Sequence, residues 1–104
     1  MTEQISRPRL DDADFAYIMS DDSMINARIL PGDMVLVRQQ DTVNDGDIAV
    51  AMQGELVRIG KYSCHEECEV LTPASPKHYS IFSYFDNPSF TIIGKVIACI
   101  CDIS

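Results

Sequence analysis

Asp45-Gly46-Asp47-Ile48-Ala49-Val50-Ala51-Met52-Gln53-Gly54-Glu55-Leu56-Val57-Arg58-Ile59-Gly60-Lys61-Tyr62 is the stretch on which the fold class turns. It opens on Asp-Gly, a pair that tolerates the positive φ of tight turns. Residues 47–52 follow as a strand, continuous enough in apolar character after Asp47 to be expected buried on both faces. Gln53-Gly54-Glu55 is a tight loop, so residues 56–62 are expected to return antiparallel as the second arm of a hairpin.

Working upstream, residues 34–38 read as another strand. It is preceded by Pro31-Gly32, where Pro sets φ and Gly supplies the positive φ of a type II turn. Residues 24–29 fit one helical turn, which Ser23 or Asp22 would cap. Residues 20–23 form a polar break, and residues 14–19 form a first strand. Downstream, strands are expected at 67–71, 78–82 and 90–101, with Gly94 marking a bulge or bend in the last and longest. Seven short strands at intervals of roughly 8–15 residues, punctuated by Pro and Gly, predict a single mainly β domain. That domain spans residues 13–104, after a polar lead-in over residues 1–12.

Size and charge narrow the function classes. The 104 residues are 46% hydrophobic and 23% charged, a globular balance, and the net charge is −8. The eight Lys and Arg residues are scattered from Arg7 to Lys95. Phosphate binding needs them clustered, so DNA contact is expected only through a separate domain. No apolar run approaches the ~20 residues that span a bilayer, and the first residues lack the apolar core of a secretory signal. A cytoplasmic location without a membrane partner is therefore expected, and with it reduced cysteines.

Asp14-Phe15-Ala16, Asp22-Ser23-Met24, Ile29-Leu30-Pro31-Gly32-Asp33 and Asp45-Gly46-Asp47-Ile48-Ala49-Val50-Ala51 follow one another at spacings that resemble the LexA-like peptidases. These are the C-terminal domains of LexA, of phage CI-type repressors and of the UmuD proteins. Leu71-Thr72-Pro73-Ala74-Ser75-Pro76 and Ile93-Gly94-Lys95-Val96 also resemble segments of that family, so the likeness runs over roughly residues 13–101. It implies a single twisted, multi-stranded β fold of the LexA and signal-peptidase kind, a homodimer formed through the C-terminal strand region, and a Ser–Lys dyad used for self-cleavage. No cofactor is implied.

In that likeness Ser23 stands at the nucleophile position. The base would be a lysine on the strand after Gln53-Gly54-Glu55. Lysine has an ordinary pKa near ~10.4 and becomes a base only where burial disfavours its charged form. Neutral, it takes the serine proton as the hydroxyl attacks a peptide carbonyl. The chain departs from the pattern here, because Arg58 occupies the lysine position and arginine stays charged at neutral pH. Lys61 is the fallback base, but strand alternation turns it to the face opposite Arg58 unless a bulge near Gly60 reverses the parity. Asp21 also replaces a glycine, and Asn26 a proline often found there. Only 22 residues precede Ser23, and they hold no Ala-Gly or Cys-Gly bond of the kind these proteins cleave. The expectation is a fragment of a longer regulator of prophage type, or a stand-alone domain with its partner segment on another chain. Its peptidase site is degenerate; the alternative is an active peptidase that uses Ser23 and Lys61.

Three further groups of residues are weighed against blander roles. Cys64-His65-Glu66-Glu67-Cys68 with Cys99 and Cys101 does not match paired C-x2-C zinc knuckles, so no metal is expected. His78 stands too far from other candidate residues to suggest a Ser-His-Asp triad. The aspartates mostly fall in turns.

Overall fold

The computed structural model describes residues 12–100. Among these residues there are seven strands: β1 (Phe15–Ile18), β2 (Met34–Gln39), β3 (Ile48–Gln53), β4 (Leu56–Cys64), β5 (Cys68–Thr72), β6 (Ile81–Tyr84) and β7 (Thr91–Ile100). They form one antiparallel sheet in the order β1-β2-β7-β3-β4-β5-β6. The expected mainly β fold is observed, and the predicted strands agree to within a few residues. The largest displacement is at β6, where residues 78–80 belong to the preceding connection. Of the lead-in only residue 12 is described, and Cys101 lies outside the described residues.

Two turns share one device. In Leu30-Pro31-Gly32-Asp33 and Asn44-Asp45-Gly46-Asp47, glycine takes the third position with φ +95° and +92°. The closing aspartate donates its backbone N–H to the first carbonyl at 3.0 Å, and its carboxylate accepts from the first N–H at 2.9 Å. Each aspartate thus satisfies turn backbone that water would otherwise have to reach. The β3–β4 hairpin closes through Gly54, φ +65°, with Gln53 opposite Leu56, the geometry of a two-residue turn with positive φ at its first centre.

β3 is buried as its apolar run predicts, with Ala49, Val50 and Ala51 fully covered. Alternation sends Val50 into one core with Met19, Met24, Val35, Val37 and Ile59. Ala49 and Ala51 enter a second core with Tyr62, Leu71, Phe90 and Ile92. A sheet that buries both faces in this way must curl.

β7 joins the two halves of the molecule. Its residues Gly94 and Lys95 pair with both β2 and β3, whereas 96–100 pair with β2 alone and 91–92 with β3 alone. The register shifts on both sides, skipping Ile97 against β2 and Ile93 against β3. The irregularity expected at Gly94 is thus a pair of bulges that flank it.

Candidate functional site

β5 pairs with β4 only from Lys61 to Cys64, so β4 from Leu56 to Gly60 has β3 on one side and no described strand on the other. The chain leaves β5 at Thr72 and loops round before rejoining the sheet as β6. The turn after β1 approaches the same gap, tied to that loop by the Asn26 N–H, which donates to the Ala74 carbonyl at 2.7 Å. Between these three segments lies a cleft of about 500 Å³, lined among others by Ser23, Arg58, His78 and Tyr79.

Ser23 is half-buried at the lip of this cleft. Its backbone N–H donates to Asp21 Oδ1 at 3.0 Å, and the neighbouring Met24 side chain is driven into the core with 1% exposure. The expected helical turn forms as a 3-10 turn, Ile25–Ala27, stopped by Arg28 at φ +66°. Its N-cap is Met24, with no side-chain cap, so neither Ser23 nor Asp22 plays the capping role that local sequence suggested. Among the described residues, none makes a hydrogen bond with the Ser23 hydroxyl.

Arg58 faces the cleft half-buried, its Nε donating to Gln53 Oε1 at 3.0 Å. Lys61 is exposed, pairs with Ile48 and Thr72, and is not part of the cleft lining. The ladder from Leu56 to Lys61 has no shift, so no bulge near Gly60 alters the alternation. Alternation is nevertheless not what separates the two residues. Val57 and Ile59 share the parity of Lys61, yet both line the cleft beside Arg58. An edge without a neighbour exposes both sides of its strand, and that edge ends at Lys61, where β5 joins. Lys61 falls one residue past the opening.

His78 was not legible as a site residue, because its partner lies 56 positions away. Its Nε2 lies 2.7 Å from Asp22 Oδ1, and Lys77 Nζ lies 3.7 Å from Asp22 Oδ2. The bond from His78, reinforced by Lys77, holds the Asp22 carboxyl below its ordinary value against the opposing effect of desolvation. This cluster fastens the loop before β6 to the residue next to Ser23.

The cysteine-rich hairpin between β4 and β5 lies apart from the cleft. Tyr62 OH donates to Glu69 Oε1 at 2.8 Å, and burial, followed by the Glu69 bond, pushes the phenol up. Among the described residues no group of three or more His, Cys, Asp or Glu side chains is arranged to hold a metal ion. No helix of the described residues is long and apolar enough to cross a membrane.

Residues 2–97 match the family described as Peptidase S24-like. The LexA repressor of Exiguobacterium sp. is 47% identical over 88 residues, covering 82% of this chain and 41% of that protein. The LexA repressor of Oceanobacillus iheyensis is 42% identical over 88 residues, with coverages of 84% and 41%. For the LexA repressor of Thermobifida fusca the figures are 36% over 83 residues, 80% and 31%. The chain therefore spans about two-fifths or less of the length of these relatives.

Proposed function

Because this chain belongs to the Peptidase S24-like family, with LexA repressors among its relatives, we propose that it is the regulatory domain of a LexA- or CI-like transcriptional regulator. It serves dimerisation and interaction, and its Ser–Lys self-cleavage site is degenerate. In this reading Ser23 holds the nucleophile position and Arg58 the base position.

One observation carries the proposal. The cation that shares the cleft with Ser23 on β4 is a guanidinium, and Lys61 stands outside the cleft in water. A base must lie within ~3.2 Å of the proton it takes, directly or through one water. A guanidinium at that place cannot accept the proton, and an exposed ammonium keeps its hydration. In this reading the cleft keeps the serine without a lysine from β4 to activate it.

Dimerisation would use the sheet end near the last strand. Ile18, Met34 and Ile100 stand opposite one another across β1, β2 and β7. Ile18 and Ile100 are 52% and 46% exposed, and β7 beyond Lys95 has no described strand on its β3 side. Water-facing isoleucines beside unpaired backbone favour covering by a second copy.

Self-cleavage with Lys61 as base remains the competing reading, and one observation favours it: Lys61 has the same strand parity as the cleft-lining Val57 and Ile59. Incubating the full-length parent at alkaline pH, with and without Ser23→Ala, separates the two. An intact chain is expected. Fragments that disappear in Ser23→Ala would overturn the degenerate site.

A further inference from the structure

Arg58 is held like a binding residue, and we propose that the cleft captures the carboxylate of an extended peptide, with Arg58 as the anchor and Ser23 as an accessory donor. The inference rests on the reading of the domain as an interaction module without a peptidase base.

Arginine carries five N–H donors in a planar fork. Here Nε is committed to Gln53 Oε1 at 3.0 Å, which orients the plane. Among the described residues no further hydrogen-bond or ion-pair partner of this guanidinium is present, although the residue is half-buried. The remaining donors of the fork face the cleft, and a carboxylate fits a guanidinium fork through two parallel N–H···O bonds. The Ser23 hydroxyl, also without a partner, opens into the same cleft.

The other charges of the cleft leave this role to Arg58. Asp22 already engages His78 at 2.7 Å and Lys77 at 3.7 Å. Asp21 accepts the Ser23 N–H at 3.0 Å. Among the described residues Arg58 is thus the cleft-lining cation without an ion-pair partner, since Lys77 is engaged by Asp22. The net charge of −8 repels anions at long range, but screening over about 10 Å at 0.1 M salt leaves the direct contact to decide.

Two features point to a peptide as the bearer of the carboxylate. β4 from Leu56 to Gly60 offers backbone on a side where no described strand pairs, which suits an extended chain adding alongside. Across the cleft, Tyr79 and Phe82 are 89% and 49% exposed and supply an apolar wall for its side chains. The carboxylate could be the peptide's C-terminus or an acidic side chain, and the probes distinguish these sources.

The test titrates the 15N-labelled chain with acetyl-Thr-Val-Thr-Val-Thr-Ala bearing a free C-terminal carboxylate, with the same peptide amidated, and with the amidated peptide carrying Asp for its central Thr. Cross-peak shifts at the Arg58 side chain and the Ser23 amide are expected with a carboxylate-bearing peptide and not with the neutral one. The arm that binds names the source. Arg58→Gln is expected to weaken binding about tenfold or more, the scale of a lost charge-assisted bond. Arg58→Lys, which keeps the charge and loses the fork, is expected to weaken it less and carries the test if Arg58→Gln does not fold. Equal binding of the amidated and carboxylate peptides, no binding of either, or unchanged affinity in both variants would overturn the proposal. Mass spectrometry of the same samples tracks the underlying reading separately: Ser23-dependent cleavage would sink that reading, whereas failed binding without cleavage would sink only the carboxylate site.

Discussion

Gly94→Ala tests the joint on which the cleft depends. Gly94 lies opposite both Gln39 and Val50, at the short segment where β7 is flanked by strands on both sides. A Cβ built there would sit 2.7 Å from the Arg38 carbonyl oxygen and against Val37 Cγ1. Carbon–oxygen contacts of this kind normally begin at ~3.3 Å, so the β2 backbone would have to retreat by roughly 0.6 Å. It has little room to do so, because Val35 and Val37 are fully buried. Overpacking costs about 1–3 kcal/mol, and a backbone obstacle places this case at the upper end. The reduced freedom of the unfolded chain offsets ~0.4–1 kcal/mol. The net loss is ~2 kcal/mol, or roughly 8–16 °C in Tm for a domain of this size. Urea unfolding followed by circular dichroism should show a lower midpoint at unchanged slope. Gly46→Ala is the control: its φ of +92° is strained, but nothing lies within 4 Å of the added carbon, so a cost of ~1 kcal/mol is expected. If Gly94→Ala unfolds no more readily than Gly46→Ala, the close approach described here is wrong.

Ser83 is 1% exposed and its Oγ accepts the N–H groups of Ser89 and Phe90 at 2.9 and 3.3 Å. Ser83→Ala should therefore cost about 1–3 kcal/mol by leaving them unsatisfied, and an unchanged urea midpoint would contradict this. The Asp22 carboxyl lies below its ordinary 3.8, chiefly through His78. A depressed carboxyl stabilises the folded chain above the unfolded value and loses that contribution as pH falls through the folded value. A 13C titration should show Asp22 rising towards 3.8 in His78→Ala; no movement would assign the shift elsewhere. Ile100→Asp, at a position 46% exposed in the monomer, should leave the fold intact and shift sedimentation towards monomer. A variant that still dimerises fully would place the interface elsewhere.

Much of the fold was legible because its signals are local. Asn44-Asp45-Gly46-Asp47 and Leu30-Pro31-Gly32-Asp33 carry their turn chemistry within four residues, and the unbroken apolar run of β3 announces burial on both faces. The strand near residues 78–82 was displaced because His78 follows a long-range partner. The capping role offered to Ser23 failed for a related reason: burial of Met24 set where the 3-10 turn begins, and no capping bond formed.

By itself, then, the sequence determined the strand inventory, the turns and the serine in its family context, since these depend on neighbours along the chain. It also determined that β4 carries arginine and lysine three residues apart. Only the tertiary structure decided which of them lines the cleft with Ser23. Alternation predicted that the two would be separated by face, yet residues of both parities line the cleft. What excludes Lys61 is the point at which β5 begins to pair with β4, a matter of how far two strands run together. No local spacing encodes that length, because it is set by where the loop before β6 must turn to pack against the Ser23 turn.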